Sequence, residues 1–190
     1  MAGKQAKTLT NQQLATALRH AGRGRYPERD RAIVLLSVKA GLRAGEIANL
    51  TWPMVLDAQG RVATHIELRD NAAKNGSGRT IPLHPDLHQS LKRLKGRSVT
   101  GPVIRSERGH GLRPSSVVNW FAGLYRQIGF EGCSSHSGRR TFITNAARLV
   151  SKAGGSLRDV QQLAGHRSIE HTQAYIDGDT RAQRRLVNLL

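Results

Sequence analysis

Three short stretches of this chain carry side chains able to act on a phosphodiester. AGLRAGE (40–46) holds Arg43 and, three residues on, Glu46. HSGRR (136–140) holds His136 and Arg139, and LAGHRSIEHTQAYI (163–176) holds His166 and, nine residues later, Tyr175. Lys74 lies between the first two, beside Asn75-Gly76 in the turn-rich run DNAAKNGSGRT (70–80). Cleaving a phosphodiester with a side chain needs a nucleophile at phosphorus, charge against the non-bridging oxygens and a proton for the leaving 5′ oxygen. Tyr175 supplies the phenol. Arg43 and Arg139 supply permanently charged planar forks suited to phosphate oxygens. His136 suits a proton acceptor or phosphate ligand, His166 a hydrogen-bond donor to the phosphate, and Lys74 a proton donor to the 5′ oxygen. Glu46 is expected to hold an arginine in place rather than move protons. The product of attack is a 3′-phosphotyrosine, which keeps the energy of the phosphodiester for rejoining. Neither ATP nor a metal enters this chemistry.

Taken singly, each residue has a plainer reading. Arg-x-x-Glu on a helix is commonly a surface ion pair, His-x-x-Arg occurs by chance, a lone tyrosine packs, and a turn lysine is solvated. Their order and spacing together carry the functional reading. His65, His110 and His171 fall outside the pattern and read as surface or packing residues.

Composition agrees with a polyanionic partner. Among 190 residues there are 30 Lys+Arg against 13 Asp+Glu, a formal charge of +17. The basic residues are spread along the chain, as on a folded basic surface, and nucleic acid is the obvious partner. Aromatic content of 4% offers no stacking platform of the single-strand-binding kind. No apolar run approaches the ~20 residues that span a bilayer, and the N-terminus lacks the apolar centre of a signal peptide. The single cysteine, Cys133, excludes an intrachain disulfide framework and fits a reducing cytoplasm. There is no CxxC or HExxH, so no cofactor or metal is expected.

The elements that must position these residues are mostly helices. Residues 1–9 read as a polar arm. Thr10 and Gln13 form a capping box for a helix to about His20. Pro27 opens a buried helix that Gly41 closes. Arg43 then stands at the start of a short helix with Ile47 and Leu50 beneath it. MVLDAQGRVATHIEL alternates around Gln-Gly and reads as two strands, with TIPL (80–83) as a third and Lys74 on the turn between the second and third. Helices follow from Pro85 to Gly96, from Pro114 or Ser115, through HSGRR to about Lys152, and over LRDVQQLA with Ser156 and Asp159 as caps. The tail, 177–190, carries a helical apolar stripe. The fold expected is α+β, mainly α, with a small three-stranded antiparallel sheet, in one domain over 1–190.

With these motifs in this order, the chain resembles the tyrosine recombinases, the phage integrase family of site-specific DNA recombinases, from about Thr10 to Tyr175. The resemblance implies a catalytic pentad similar to Arg43, Lys74, His136, Arg139 and His166, with Tyr175 as nucleophile and Glu46 at the usual acidic position. It implies double-stranded DNA as substrate, an accessory DNA-bending protein in some systems, and a DNA-bound tetramer linked through the tail. Two positions depart from the family pattern: Gly138 where leucine is common, and Arg140 where histidine is frequent. Only about forty residues precede Arg43, so no N-terminal core-binding domain is expected. A non-catalytic DNA-binding regulator and a type IB topoisomerase-like nicking enzyme remain the alternatives.

Overall fold

The computed structural model describes residues 6–73 and 76–175, together with Arg184, Val187 and Asn188. Eight helices and two strands follow one another among them: α1 (Asn11–Ala21), α2 (Pro27–Lys39), α3 (Ala44–Asn49), β1 (His65–Leu68), β2 (Arg79–Pro82), α4 (Pro85–Lys95), α5 (Pro114–Gln127), α6 (Ser137–Leu149), α7 (Leu157–Ala164) and α8 (Glu170–Gln173). The fold class is the one expected, with a smaller sheet. β1 and β2 pair antiparallel, Ile66 opposite Ile81 and Leu68 opposite Arg79. The stretch expected as the first strand instead turns at Gln59-Gly60 and makes an isolated bridge between Leu56 and Val62. The 3-10 turn Trp52–Met54, with Pro53 in it, occupies residues that a longer strand would need.

Local chemistry sets the helix ends. Thr10 and Gln13 form the reciprocal capping box, with Thr10 N–H donating to Gln13 Oε1 at 2.9 Å and Gln13 N–H to Thr10 Oγ1 at 3.2 Å. Pro27 stands in the first turn of α2. Gly41 follows α2 with φ +65°, and a Cβ there would run into the Phe142 ring. Only glycine suits that position, so the chain turns tightly from α2 into the Arg43 segment. Ser156 and Asp159 cap α7, and Gly165, at φ +63°, ends it.

α2 runs through the middle of the molecule, against α1, α4 and α6. Ile33 and Leu36 on it are fully buried, each contributing about 1.5–3 kcal/mol of transfer energy. Most of the core joins α1–α5 and the sheet, with Trp52, Phe121 and Leu124 among its larger members. A second, smaller cluster joins α6 to α7 through Ile143, Val160 and Ala164, and Phe142 and Tyr175 pack on it. Near the chain start, Leu9 is buried and donates its N–H to Thr141 Oγ1 at 2.8 Å, anchoring the end of the stretch read as an arm.

Gly138 explains one departure from the family pattern. A Cβ there would meet Ser37, with its Cβ at 2.8 Å, and Val38 Cγ1 at 3.0 Å. α6 therefore lies too close to α2 for any side chain at 138. No helix among the described residues is long and apolar enough to cross a membrane. The expected tail helix falls almost wholly outside the described residues.

Candidate active site

Arg43 precedes α3, and Glu46 sits in that helix's first turn. Glu46 is 2% exposed and accepts the Arg43 backbone N–H at 2.9 Å and Arg43 Nη1 at 2.8 Å. It also accepts from a residue the sequence reading missed. Arg79, at the start of β2, donates Nη1 to Glu46 Oε1 at 3.1 Å and Nη2 to Oε2 at 3.0 Å. The Arg79 side chain is 7% exposed, and its Nε donates to the Leu163 carbonyl at 2.8 Å. Glu46 thus clamps two arginines, and Arg79 ties the sheet to the end of α7. A sequence signal for this existed: the alternation that turns Ile81 inward turns Arg79 inward too. Burial works to raise the Glu46 pKa. The hydrogen bonds and charge of Arg79 and Arg43 outweigh it and hold the carboxyl below its ordinary value.

Arg139 lies one turn into α6 and is buried. Its Nη1 donates to the Gly41 carbonyl at 2.6 Å and its Nη2 to the Ala164 carbonyl at 2.7 Å. These bonds use two of the five guanidinium N–H groups and fix the side chain between the loop before α3 and the end of α7. Burial and the neighbouring Arg43 charge pull its pKa down to about 9, so it stays charged at neutral pH.

His166 follows the left-handed Gly165. Its Nδ1 lies 2.9 Å from Thr172 Oγ1, itself fully buried at the centre of α8. Burial, then the charges of Arg139 and Arg43, push the His166 pKa down to about 4. The ring is neutral at pH 7. A neutral imidazole carries one proton, so which partner donates in the His166–Thr172 bond sets whether Nε2 is a donor or an acceptor. Tyr175, just past α8, stacks on His166 with ring centroids 5.7 Å apart and planes at 23°. Arg140 stands over the same tyrosine, with Cζ 5.6 Å from its centroid.

One cleft of about 780 Å³ collects Arg43, His136, Arg139, His166 and Tyr175 on its walls. His136 reaches it from the residue before α6, where the side chain is exposed. Glu46 sits behind Arg43 rather than on the wall. Lys74 lies outside the described residues. Arg140 and His171 also line the cleft, and His171 stands edge-on to His166 at 6.1 Å. His171, which read as a surface or packing residue, is exposed, and its place on the cleft wall is what its local sequence does not show. His65 instead faces Glu67 on β1 at 3.2 Å. The cleft therefore combines two fixed arginines, a neutral imidazole, an exposed imidazole and a phenol, a set suited to a phosphodiester.

The sequence profile of the phage integrase family matches residues 7–181. The chain belongs to that family, the tyrosine recombinases. It is 29% identical over 155 residues to tyrosine recombinase XerC of Pelobacter propionicus, covering 79% of this chain and 48% of that protein. With tyrosine recombinase XerA of Pyrococcus furiosus it shares 30% over 152 residues, 77% of this chain and 49% of the relative. The chain spans about half the length of these curated relatives. Among solved structures, the Tn1549 transposon integrase in complex with a circular intermediate DNA superposes with a TM-score of 0.75 at 18% identity, covering 100% of this chain and 67% of the other. That likeness concerns the fold.

Proposed function

We propose that this protein is a site-specific DNA recombinase that cuts and rejoins duplex DNA through a 3′-phosphotyrosine. The observation that carries the reading is the cleft that brings Arg43, His136, Arg139 and His166 onto the same walls as Tyr175. Tyr175 Oη attacks phosphorus, the bond to the 5′ oxygen breaks, and the protein becomes linked to the 3′ phosphate. Arg43 and Arg139 neutralise the non-bridging oxygens as charge builds in the transition state. Loss of either clamp costs about 3–4 kcal/mol by analogy with an oxyanion donor. Neutral His166 adds a hydrogen bond to the same phosphate, and His136 accepts the phenol proton or ligates phosphate. Lys74 protonates the leaving 5′ oxygen. A 5′ hydroxyl from another strand then reverses the sequence, so neither metal nor ATP is consumed.

In this reading the chain acts as one catalytic domain in the cytoplasm. Copies assemble on DNA through residues 177–190, as a tetramer, with or without an accessory DNA-bending protein. Removing residues 178–190 then abolishes strand exchange while leaving a folded monomer.

The test is covalent trapping on nicked duplexes selected from random DNA, comparing wild type with Tyr175→Phe. A denaturation-resistant adduct formed by wild type and lost in the variant is the expected result. Binding without any adduct would overturn it in favour of a non-catalytic regulator. An adduct with equal efficiency on any duplex, together with relaxation of supercoiled plasmid, would mark a topoisomerase-like enzyme instead.

A further inference from the structure

α8 is a single turn of helix, yet it carries a fully buried polar side chain, Thr172. The Thr172 hydroxyl lies 2.9 Å from His166 Nδ1. Its main chain is bonded as well: the N–H donates to the Ile169 carbonyl at 2.8 Å, and the carbonyl accepts the Tyr175 N–H at 3.1 Å. One residue therefore meets the imidazole through its side chain and the nucleophile through its backbone. A different residue holds the backbone of His166. Gln161, also buried, donates Nε2 to the His166 carbonyl at 3.0 Å, and its own carbonyl accepts the His166 N–H at 3.1 Å. The main chain of His166 is thus fixed by α7. Its ring meets Thr172 at the Nδ1 edge and Tyr175 on one face.

We infer that Thr172 is a positioning residue: its hydroxyl donates to Nδ1 of His166, keeps the ring proton on Nε2 and so makes His166 a donor to the reacting phosphate. The inference rests on the recombinase reading and deepens it. An ionised phosphate oxygen only accepts hydrogen bonds, so a neutral His166 helps at phosphorus only with its proton on Nε2. The hydrogen bond made by one ring nitrogen sets which nitrogen carries the proton. A hydroxyl suits this task, because it rotates to donate where an acceptor stands. Valine at 172 would keep the branched shape and turn a methyl group toward Nδ1. Nothing would then hold the proton on Nε2. The main-chain bond from Tyr175 does not involve the hydroxyl, so the nucleophile keeps its anchor in that variant.

The experiment compares the full chain with its Thr172→Val and Thr172→Ser variants. Nitrogen–proton NMR of the parent protein reads the tautomer directly, with the His166 signals assigned by their loss in His166→Gln. Expected are a protonated Nε2 and a bare Nδ1. A proton on Nδ1, or a rapidly exchanging mixture of the two forms, would overturn the inference even if neither variant folds. Adduct formation on nicked duplex should fall by about ten- to a hundredfold in Thr172→Val, the scale of a misplaced catalytic group. Duplex affinity, measured with Tyr175→Phe added to each protein, should stay at the parent's level. Thr172→Ser restores the hydroxyl without the methyl and should recover the rate. A Thr172→Val protein as fast as the parent would remove the role of Thr172, while the parent's adduct leaves the recombinase reading standing. A Thr172→Ser protein as slow as Thr172→Val would assign the effect to packing of the methyl and overturn the inference too. A parent protein that forms no adduct would overturn both.

Discussion

Replacing Glu46 by glutamine tests the central electrostatic feature of the site. The carboxylate accepts two bonds from Arg43 and two from Arg79, all between 2.8 and 3.1 Å. Glutamine keeps the shape, removes the charge and turns an NH₂ group toward donors that have nothing to accept. Arg79, 7% exposed, would be left as a buried cation with only carbonyl partners. Removing one member of a buried pair in this way costs about 3–5 kcal/mol, a large share of the ~5–15 kcal/mol that holds a domain together. At an m-value near 2 kcal/mol/M, the urea midpoint should fall by roughly 2 M with the slope unchanged. The double variant Glu46→Met/Arg79→Met, which removes both buried charges, should lose less than the single change. The carboxyl is depressed in the fold from its ordinary 4.5, so its contribution is intact above that value. It disappears as pH falls through the lower folded value. Wild type should lose stability in that acid window, and Glu46→Gln should lose less there. A midpoint shift below about 0.5 M, or identical acid profiles, would refute the two-arginine clamp.

Further predictions concern His166 and Gly138. The fold lowers the His166 pKa from 6.5 to about 4, so the unfolded chain takes up that proton first. Its contribution to stability is complete above 6.5 and is lost as pH falls toward 4, and His166→Gln should flatten the stability profile in that window. An imidazole resonance of His166 that titrates near 6.5 by NMR would contradict this. Gly138→Leu would install the residue common in the family where Ser37 and Val38 leave no room. It should cost at least the ~1–3 kcal/mol of overpacking, visible as a lower thermal midpoint. A neutral or stabilising outcome would mean that α6 can withdraw from α2.

Much of this protein is written locally. The capping boxes at Thr10 and Ser156, Pro27 and Pro114 at helix starts, and the left-handed Gly41 and Gly165 act through neighbours a few residues away, so they are legible in the chain. The same holds for the residue types of the site, because Arg43, His136, Arg139, His166 and Tyr175 lie in short motifs with regular spacing. The first strand was misjudged because alternation alone does not distinguish a paired strand from a loop closed by one bridge.

What only the tertiary structure decides is which charge answers which. Glu46 and Arg79 are 33 residues apart, and their pairing exists only because the fold brings the Arg79 side chain to the first turn of α3. Arg139 is held by carbonyls 98 and 25 residues away. His171 and Arg140 join the cleft only because α7, packed between α6 and α8, brings Tyr175 to Arg140 and His171 to His166. The depressed His166 pKa likewise arises from burial beside two arginines that the chain delivers from elsewhere. The sequence by itself determined the chemical inventory, since side-chain type and local spacing are encoded residue by residue. Desolvation and long-range charge depend on packing, and so the positions, partners and protonation states of that inventory belong to the fold.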